Sequence, residues 1–271
     1  MLGKLIKHEF KIINRAFIPL NLVVLVVGLL GAAMGAFFMV DIFANDVGPM
    51  GALLAVMMVV IFFLVLPAVM ILPLVIATVR FWKSFLSSEG YLMFTLPVTR
   101  RNLILSRLIP STIWLTVTTI VVIISIIIVI ASMALTASAG QSGLFFSIPQ
   151  WQDLWQTPGV VMGNPTLLLI AQIVSLILSS AAGILSFYVA MSIAQLSNSA
   201  RVIIAIVVWI GLFIAYLIGA VVVSLIWEIF FPAFAANMLI TSIMGSIVIF
   251  LGCAVMFVIT EQILSKRLNL Q

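Results

Sequence analysis

The chain has 271 residues, of which 65% are hydrophobic and only 7% are charged, whereas ordinary soluble domains are about 25% charged. Its apolar runs extend over about 20 residues, which excludes a soluble domain and a membrane β-barrel, whose strands alternate polar and apolar residues over about ten positions. The net charge of +5 is typical of membrane proteins whose basic loops stay in the cytoplasm, so no nucleic-acid partner is expected.

These features predict an all-α, polytopic membrane protein with a single transmembrane domain over residues 1–271. The first apolar run is longer than the roughly 7 to 15 residues of a signal peptide core, so we expect an uncleaved span. Pro67 and Pro73 lie inside the second run and should kink its helix. Six spans are expected near residues 16–40, 50–79, 110–136, 165–196, 202–226 and 239–264.

Residues 1–15 have the pattern of an amphipathic helix that lies in the membrane surface. The basic residues share one stripe of the helix and would face anionic headgroups, while the opposite face is apolar. Glu9 falls on that apolar face, where a carboxylate needs a partner, and Arg80 and Lys83 are the nearest candidates. The residues assigned to this interfacial helix include Lys4, Lys7, Glu9, Phe10 and Lys11.

Residues 80–107 form the longest polar interruption between apolar runs, and they contain five of the twelve Lys and Arg residues. The loop is therefore expected to lie in water, with Thr99 as a candidate N-cap of the helix that follows. The same loop contains an apolar cluster too large to face solvent uncovered, which indicates a protein partner. The cluster is Tyr91, Leu92, Met93, Phe94 and Leu96.

Two other segments interrupt the apolar runs. Residues 137–164 include Trp151 and Trp155 and are expected to be an extracytoplasmic segment at the membrane edge. Residues 227–237 are short and still apolar, so the sequence leaves open whether this segment re-enters the membrane.

The basic residues give the orientation. All twelve Lys and Arg residues fall on the side of the two termini, whereas the opposite side carries Asp41, Asp46, Asp153 and Glu228. Since basic loops stay in the cytoplasm, we expect a multi-pass protein of the cell membrane with both termini cytoplasmic.

Several kinds of chemistry lack the residues they need. His8 is the single histidine, and Cys253 is the single cysteine, so neither a histidine metal cluster nor an intrachain disulfide can form. The sequence has no GxxxxGK[ST] nucleotide-binding loop. No charged residue occurs deep within an apolar run, which argues against an ion-coupled carrier.

The segment from Ser87 to Ile109 resembles the membrane subunits of ABC transporters of the type-2 exporter class. In that class a segment like E-G-x-L-x-x-x-L-P-V-[ST]-R forms the coupling helix in the first cytoplasmic loop. Tyr91 departs from the small or hydroxyl residue of many relatives, and the loop after the fifth span is short for this class. The matching residues are Glu89, Gly90, Leu92, Leu96, Pro97, Val98, Thr99 and Arg100.

The resemblance implies that the loop docks on an ATPase subunit. The chain would then be the permease subunit of an ATP-driven exporter, with two ABC ATPase subunits and a second membrane subunit, identical or homologous. ATP and magnesium would bind the ATPase subunits, so the chain itself is expected to be neither an enzyme nor a cofactor binder. The contact residues would be Glu89, Gly90, Tyr91, Leu92, Phe94, Leu96, Arg100 and Arg101.

The expected substrate is an amphipathic or hydrophobic molecule, such as a peptide antibiotic, a drug or a lipid. The alternative is a membrane scaffold or sensor that does not transport and that recruits a soluble partner through residues 80–107.

Overall fold

The computed structural model describes residues 2–43, 49–86, 99–139, 164–197 and 201–266, and every regular element in these ranges is a helix. This confirms the all-α prediction. The elements in chain order are α1 (Leu2–Phe43), α2 (Pro49–Phe81) with a π-helical segment after it (Trp82–Leu86), α3 (Arg100–Ala139), α4 (Pro165–Ala194), α5 (Arg201–Phe230), the four-residue α6 (Pro232–Ala235) and α7 (Met238–Lys266).

Six of these helices are long and apolar enough to cross a membrane, which agrees with the number of spans predicted from the sequence. Their apolar segments within the described ranges are Gly3–Ala36, Val60–Phe85, Arg101–Ser132, Thr166–Ala194, Arg201–Phe230 and Met238–Leu264.

The first helix differs from its prediction, because α1 continues from Leu2 through residue 15 without a break. No glycine or proline lies between Gly3 and Pro19, so no local signal ends the helix where the surface helix was expected to end. The exposed Lys4, Lys7 and Lys11 and the partly buried Phe10 follow the amphipathic pattern. That residues 1–15 lie in a membrane surface stays a prediction.

The loop at residues 80–107 is also narrower than predicted, since it is helical up to Leu86 and again from Arg100. The helices continue because apolar residues at helical spacing, such as Phe81 and Phe85, pack into a core. Thr99 immediately precedes α3, and its carbonyl oxygen accepts a hydrogen bond from the amide of Leu103, as expected of the residue that starts a helix.

Asparagine side chains begin two of the later helices. The Asn164 side chain accepts a hydrogen bond from the Thr166 amide, with Pro165 in the first helical turn. The Asn237 side chain accepts from the amide of Leu239 at the start of α7. The predicted break at residues 227–237 is shorter in the structure, because α5 continues to Phe230 and α6 follows from Pro232. The position of this turn relative to a membrane stays open.

The chain divides into two compact units whose segments alternate along the sequence. The first unit combines Met1–Lys11, Leu74–Thr116 and Gly159–Gln271. In it α4 packs along α7 and α5, and an apolar core includes Phe81, Leu103 and Tyr188. The second unit combines Ile12–Pro73 and Val117–Pro158, with a core of Val24, Leu66, Val69 and Val122.

Candidate functional site

The candidate site lies in the first unit, at the two helix ends that border residues 87–98. Six of the predicted ATPase contacts fall outside the described residues, so their role stays a prediction. They are Glu89, Gly90, Tyr91, Leu92, Phe94 and Leu96. The structure does describe the residues that lead into this segment and out of it, which we call the loop stems (Arg80–Leu86 and Arg100–Ser111).

Apolar side chains hold both loop stems in one core. Phe81 and Phe85 of the first stem are almost fully buried, and their ring centroids are 5.0 Å apart. Leu103, Ile104 and Leu108 of the second stem belong to the same buried cluster. Side chains packed this closely transmit displacement because a protein interior has little free volume. The two stems are therefore anchored to the same helices.

A buried ion cluster lies at the same helix ends and joins α1 to both loop stems. The Nη2 atom of Arg80 is 3.1 Å from Oε2 of Glu9, and the Nη1 atom of Arg107 contacts Oε1 of the same carboxylate. The exposed fractions of the side chains are 6% for Glu9, 22% for Arg80 and 10% for Arg107. The predicted pairing of Glu9 with Arg80 is confirmed.

Arg107 is buried and Arg80 is partly buried, which corrects for these two residues the expectation that the basic residues of the loop lie in water, whereas Lys83 and Arg101 are exposed. Arg107 was not predicted to join the cluster, although its spacing carried a signal. It lies one turn from Leu103 and Ile104, on the same helical face as these buried residues. An arginine on such a face indicates a buried anionic partner.

Tyr188 of α4 lies beside the ion cluster and is fully buried. Its hydroxyl group hydrogen-bonds the side chain of Ser111, and the tyrosine is close enough to Glu9, Arg80 and Arg107 to interact with each electrostatically. Buried polar groups in a membrane protein need such internal partners, because lipid offers none. The cluster therefore connects α1, α2, α3 and α4.

A second ion pair joins the start of α3 to the end of α7. The Nε atom of Arg101 contacts Oε1 of Glu261. Arg101 is a predicted ATPase contact, and its side chain is 70% exposed, so the pair itself contributes only about 0 to 1 kcal/mol. Arg100, the other predicted contact at this end, is the first residue of α3.

The geometry of the cluster is suited to holding helices together. Both oxygens of Glu9 contact guanidinium groups, which have N–H donors and no acceptor. In the part of the chain that the structure describes, no group of three His, Cys, Asp or Glu side chains could hold a metal ion.

Comparison with protein-family models, with curated proteins and with solved structures gave no match. The resemblance to ABC exporter subunits therefore depends on the sequence motif and on the helical architecture.

Proposed function

We propose that this protein is the permease subunit of an ATP-binding-cassette exporter in the cell membrane, with both termini in the cytoplasm. The observation that carries the proposal is the anchoring of the two loop stems. Both stems enter one apolar core, and both contribute an arginine to the buried carboxylate of Glu9. A coupling loop needs such stems, since a force applied to it must move helices instead of bending the chain.

Force transmission follows from the contacts of the stems. Arg80 and Phe81 belong to α2, Arg107 belongs to α3, and Glu9 belongs to α1, so a displacement of the loop would act on three helices together. Packed elements of this kind move as rigid bodies between alternative arrangements. Helices that move together can open and close a path for a substrate.

The energy would come from two ATPase subunits that bind ATP and magnesium, because the chain has no phosphate-binding loop of its own. A second membrane subunit, identical or homologous, would complete the enclosed path, since a six-helix chain is small for one. The substrate class that fits an apolar membrane protein without charges deep in its spans is an amphipathic or hydrophobic molecule.

The test is purification of the tagged full-length chain from its native membranes, followed by measurement of ATP hydrolysis. We expect an ATPase to copurify. Tyr91→Ala and Phe94→Ala should leave the yield of folded chain unchanged and reduce the amount of bound ATPase, because large apolar anchors carry most of the energy of an interface, about 2 kcal/mol or more each. The matched control is Phe250→Ala, which truncates an exposed phenylalanine of α7.

Two outcomes would contradict the proposal. If a partner copurifies through the loop but hydrolyses no ATP, the chain is a scaffold or sensor. If Tyr91→Ala and Phe94→Ala lower the folded yield and the remaining folded chain binds the ATPase normally, the aromatic cluster packs on the chain itself and is not the ATPase contact.

A further inference from the structure

The buried ion cluster has more positive than negative charge. Arg80 and Arg107 share the single carboxylate of Glu9, so the three side chains have a formal charge of one positive unit. A net charge in a largely buried site is unfavourable unless a counter-ion compensates it. A further anion beside the cluster would therefore be stabilised.

The other acidic side chains that the structure describes are poorly placed to supply it. Glu261 contacts Arg101, and no ion pair joins the described Glu228 to Arg80 or Arg107. In the part of the chain that the structure describes, the two arginines thus share one carboxylate.

The position of the cluster indicates the source of the anion. Arg80 lies near the end of the apolar segment Val60–Phe85, and Arg107 lies near the start of Arg101–Ser132. Helix ends of this kind lie at the depth of lipid headgroups, and basic pockets between helices bind anionic headgroups there. The side chain of Arg80 is the most exposed of the three, and the exposed Lys7 and Lys11 are close to Glu9 in the sequence.

We propose that Arg80 and Arg107 bind the phosphate group of an anionic phospholipid at this end of the first unit, where the carboxylate of Glu9 compensates only one of their two positive charges. Each guanidinium group has five N–H donors, and the contacts to Glu9 engage one nitrogen of each. Arginine matches the geometry of phosphate oxygens, and its charge-assisted hydrogen bonds are strong. The site does not depend on the proposed transport function.

Lipid binding is tested with the full-length chain purified in a neutral detergent. Phosphatidylglycerol should raise the unfolding temperature and remain bound in native mass spectrometry, whereas phosphatidylcholine should do neither, because ligands that bind only the folded state stabilise it. Inorganic phosphate at the same concentration should have little effect. If inorganic phosphate stabilises the chain and phosphatidylglycerol does not, the assignment to a lipid is wrong.

Two variants separate the site from general attraction between the lipid and basic residues. Arg80→Gln should weaken phosphatidylglycerol binding about tenfold, the loss expected for a charge-assisted hydrogen bond. Lys7→Gln removes the same charge from an exposed position of α1 and should change binding less than about twofold, because an exposed charge is well screened. Equal effects of the two substitutions would overturn the site.

Glu9→Gln is a second variant, for which the opposite change in lipid binding is expected. This variant retains both arginines and removes the competing carboxylate, so phosphatidylglycerol should stabilise it more than it stabilises the original chain. A smaller or unchanged stabilisation would contradict the proposal. Glu89→Gln tests whether Glu89, and not a lipid, is the counter-ion of the cluster. If phosphatidylglycerol binds only after this substitution, the Glu89 carboxylate occupies the site in the original chain and the lipid proposal is wrong.

Discussion

The ring of Phe81 stacks on the ring of Tyr188, with 4.0 Å between the centroids and 15° between the planes. Phe81 is the last residue of α2 and follows Arg80 directly, while the Tyr188 side chain hydrogen-bonds Ser111 of α3. One aromatic pair therefore joins the end of α2 to α4 beside the ion cluster. Because Arg80 precedes Phe81 directly, the stack also holds the end of α2 that carries Arg80.

Phe81→Ala should lower the free energy of unfolding by about 3 kcal/mol, because it removes a buried ring and leaves a cavity against Tyr188. Val79→Ala, two residues earlier on an exposed face of α2, should change it by less than about 1 kcal/mol. The unfolding temperature of the purified chain in detergent measures both effects. Equal losses for the two variants would show that the stack is not an important contact.

Helical periodicity predicted the burial and pairing of Glu9, because residues three or four positions apart lie on the same face of a helix. Glu9 precedes Ile13 and Phe17 on one face of α1, and all three are buried, so a carboxylate in that pattern indicates a buried partner. The same periodicity applies to Arg107 on α3. It was missed because a basic residue beside a polar segment also fits the membrane boundary, and sequence spacing alone does not separate the two positions.

Tyr188 could not be predicted in the same way. Helix α4 is apolar on all sides, so its sequence has no face that marks the core. Which of its residues approaches the ion cluster depends on packing against α2 and α3, which are distant in sequence. The number of spans was predictable because it depends on the length of apolar runs, a local property.

The orientation predicts which positions react with a thiol reagent that cannot cross the membrane. In a Cys253→Ala background, Asp46→Cys, Asp153→Cys and Glu228→Cys should be labelled from outside intact cells, because basic residues are absent from that side. Replacement of Cys253 removes the single native thiol, which is buried in α7.

The control positions lie on the side predicted to be cytoplasmic. Ser88→Cys and Ser265→Cys should remain unlabelled in intact cells and react after the membrane is permeabilised. The opposite pattern would reverse the orientation and remove the basis for placing residues 80–107 in the cytoplasm.

The link between Glu9 and Arg80 is tested with a double-mutant cycle. Glu9→Gln should lower the free energy of unfolding by about 3 kcal/mol, because it leaves two partly or fully buried guanidinium groups without a carboxylate. Arg80→Gln should lower it by less, about 1.5 kcal/mol for a lost hydrogen bond to a charged group, because Glu9 keeps its contact with Arg107. The double variant should lose about 1 to 3 kcal/mol less than the sum of the two single effects. Unfolding in neutral detergent, measured without added lipid, gives all three values.

Lys7→Gln is the matched control, since Lys7 is exposed on the same helix. Its effect should add to that of Glu9→Gln without an interaction term. Additive effects of Glu9→Gln and Arg80→Gln would instead mean that the ion pair does not hold α1 to α2.

Close helix packing in the second unit depends on two glycines of α1. A Cβ atom at Gly28 would lie 2.6 Å from the Cβ of Ser125, and a Cβ at Gly31 would lie 2.5 Å from the ring of Phe62. Gly28→Ala and Gly31→Ala should therefore each cost about 1 to 3 kcal/mol of unfolding free energy, the usual effect of overpacking. Thermal unfolding of the purified variants measures the loss.

Gly211→Ala is the control for these substitutions, because a Cβ at that position of α5 meets nothing within 4 Å. Alanine is the better helix former, so this variant should be neutral or more stable by up to about 1 kcal/mol. A loss equal to that of Gly28→Ala would mean that the effect comes from the helix backbone and not from the contact with α3.

The contact between Gly28 and Ser125 should also be recovered by a second substitution. Ser125→Gly removes the two side-chain atoms that lie 2.6 Å from a Cβ at position 28, although by itself it should cost about 1 kcal/mol, because glycine is a poor helix former. In the double variant, the methyl group added at position 28 fills the space that the side chain removed at position 125 leaves. The loss of unfolding free energy should therefore be at least about 1 kcal/mol smaller than the sum of the two single losses. Losses that simply add would show that the two helices are not in contact at this pair.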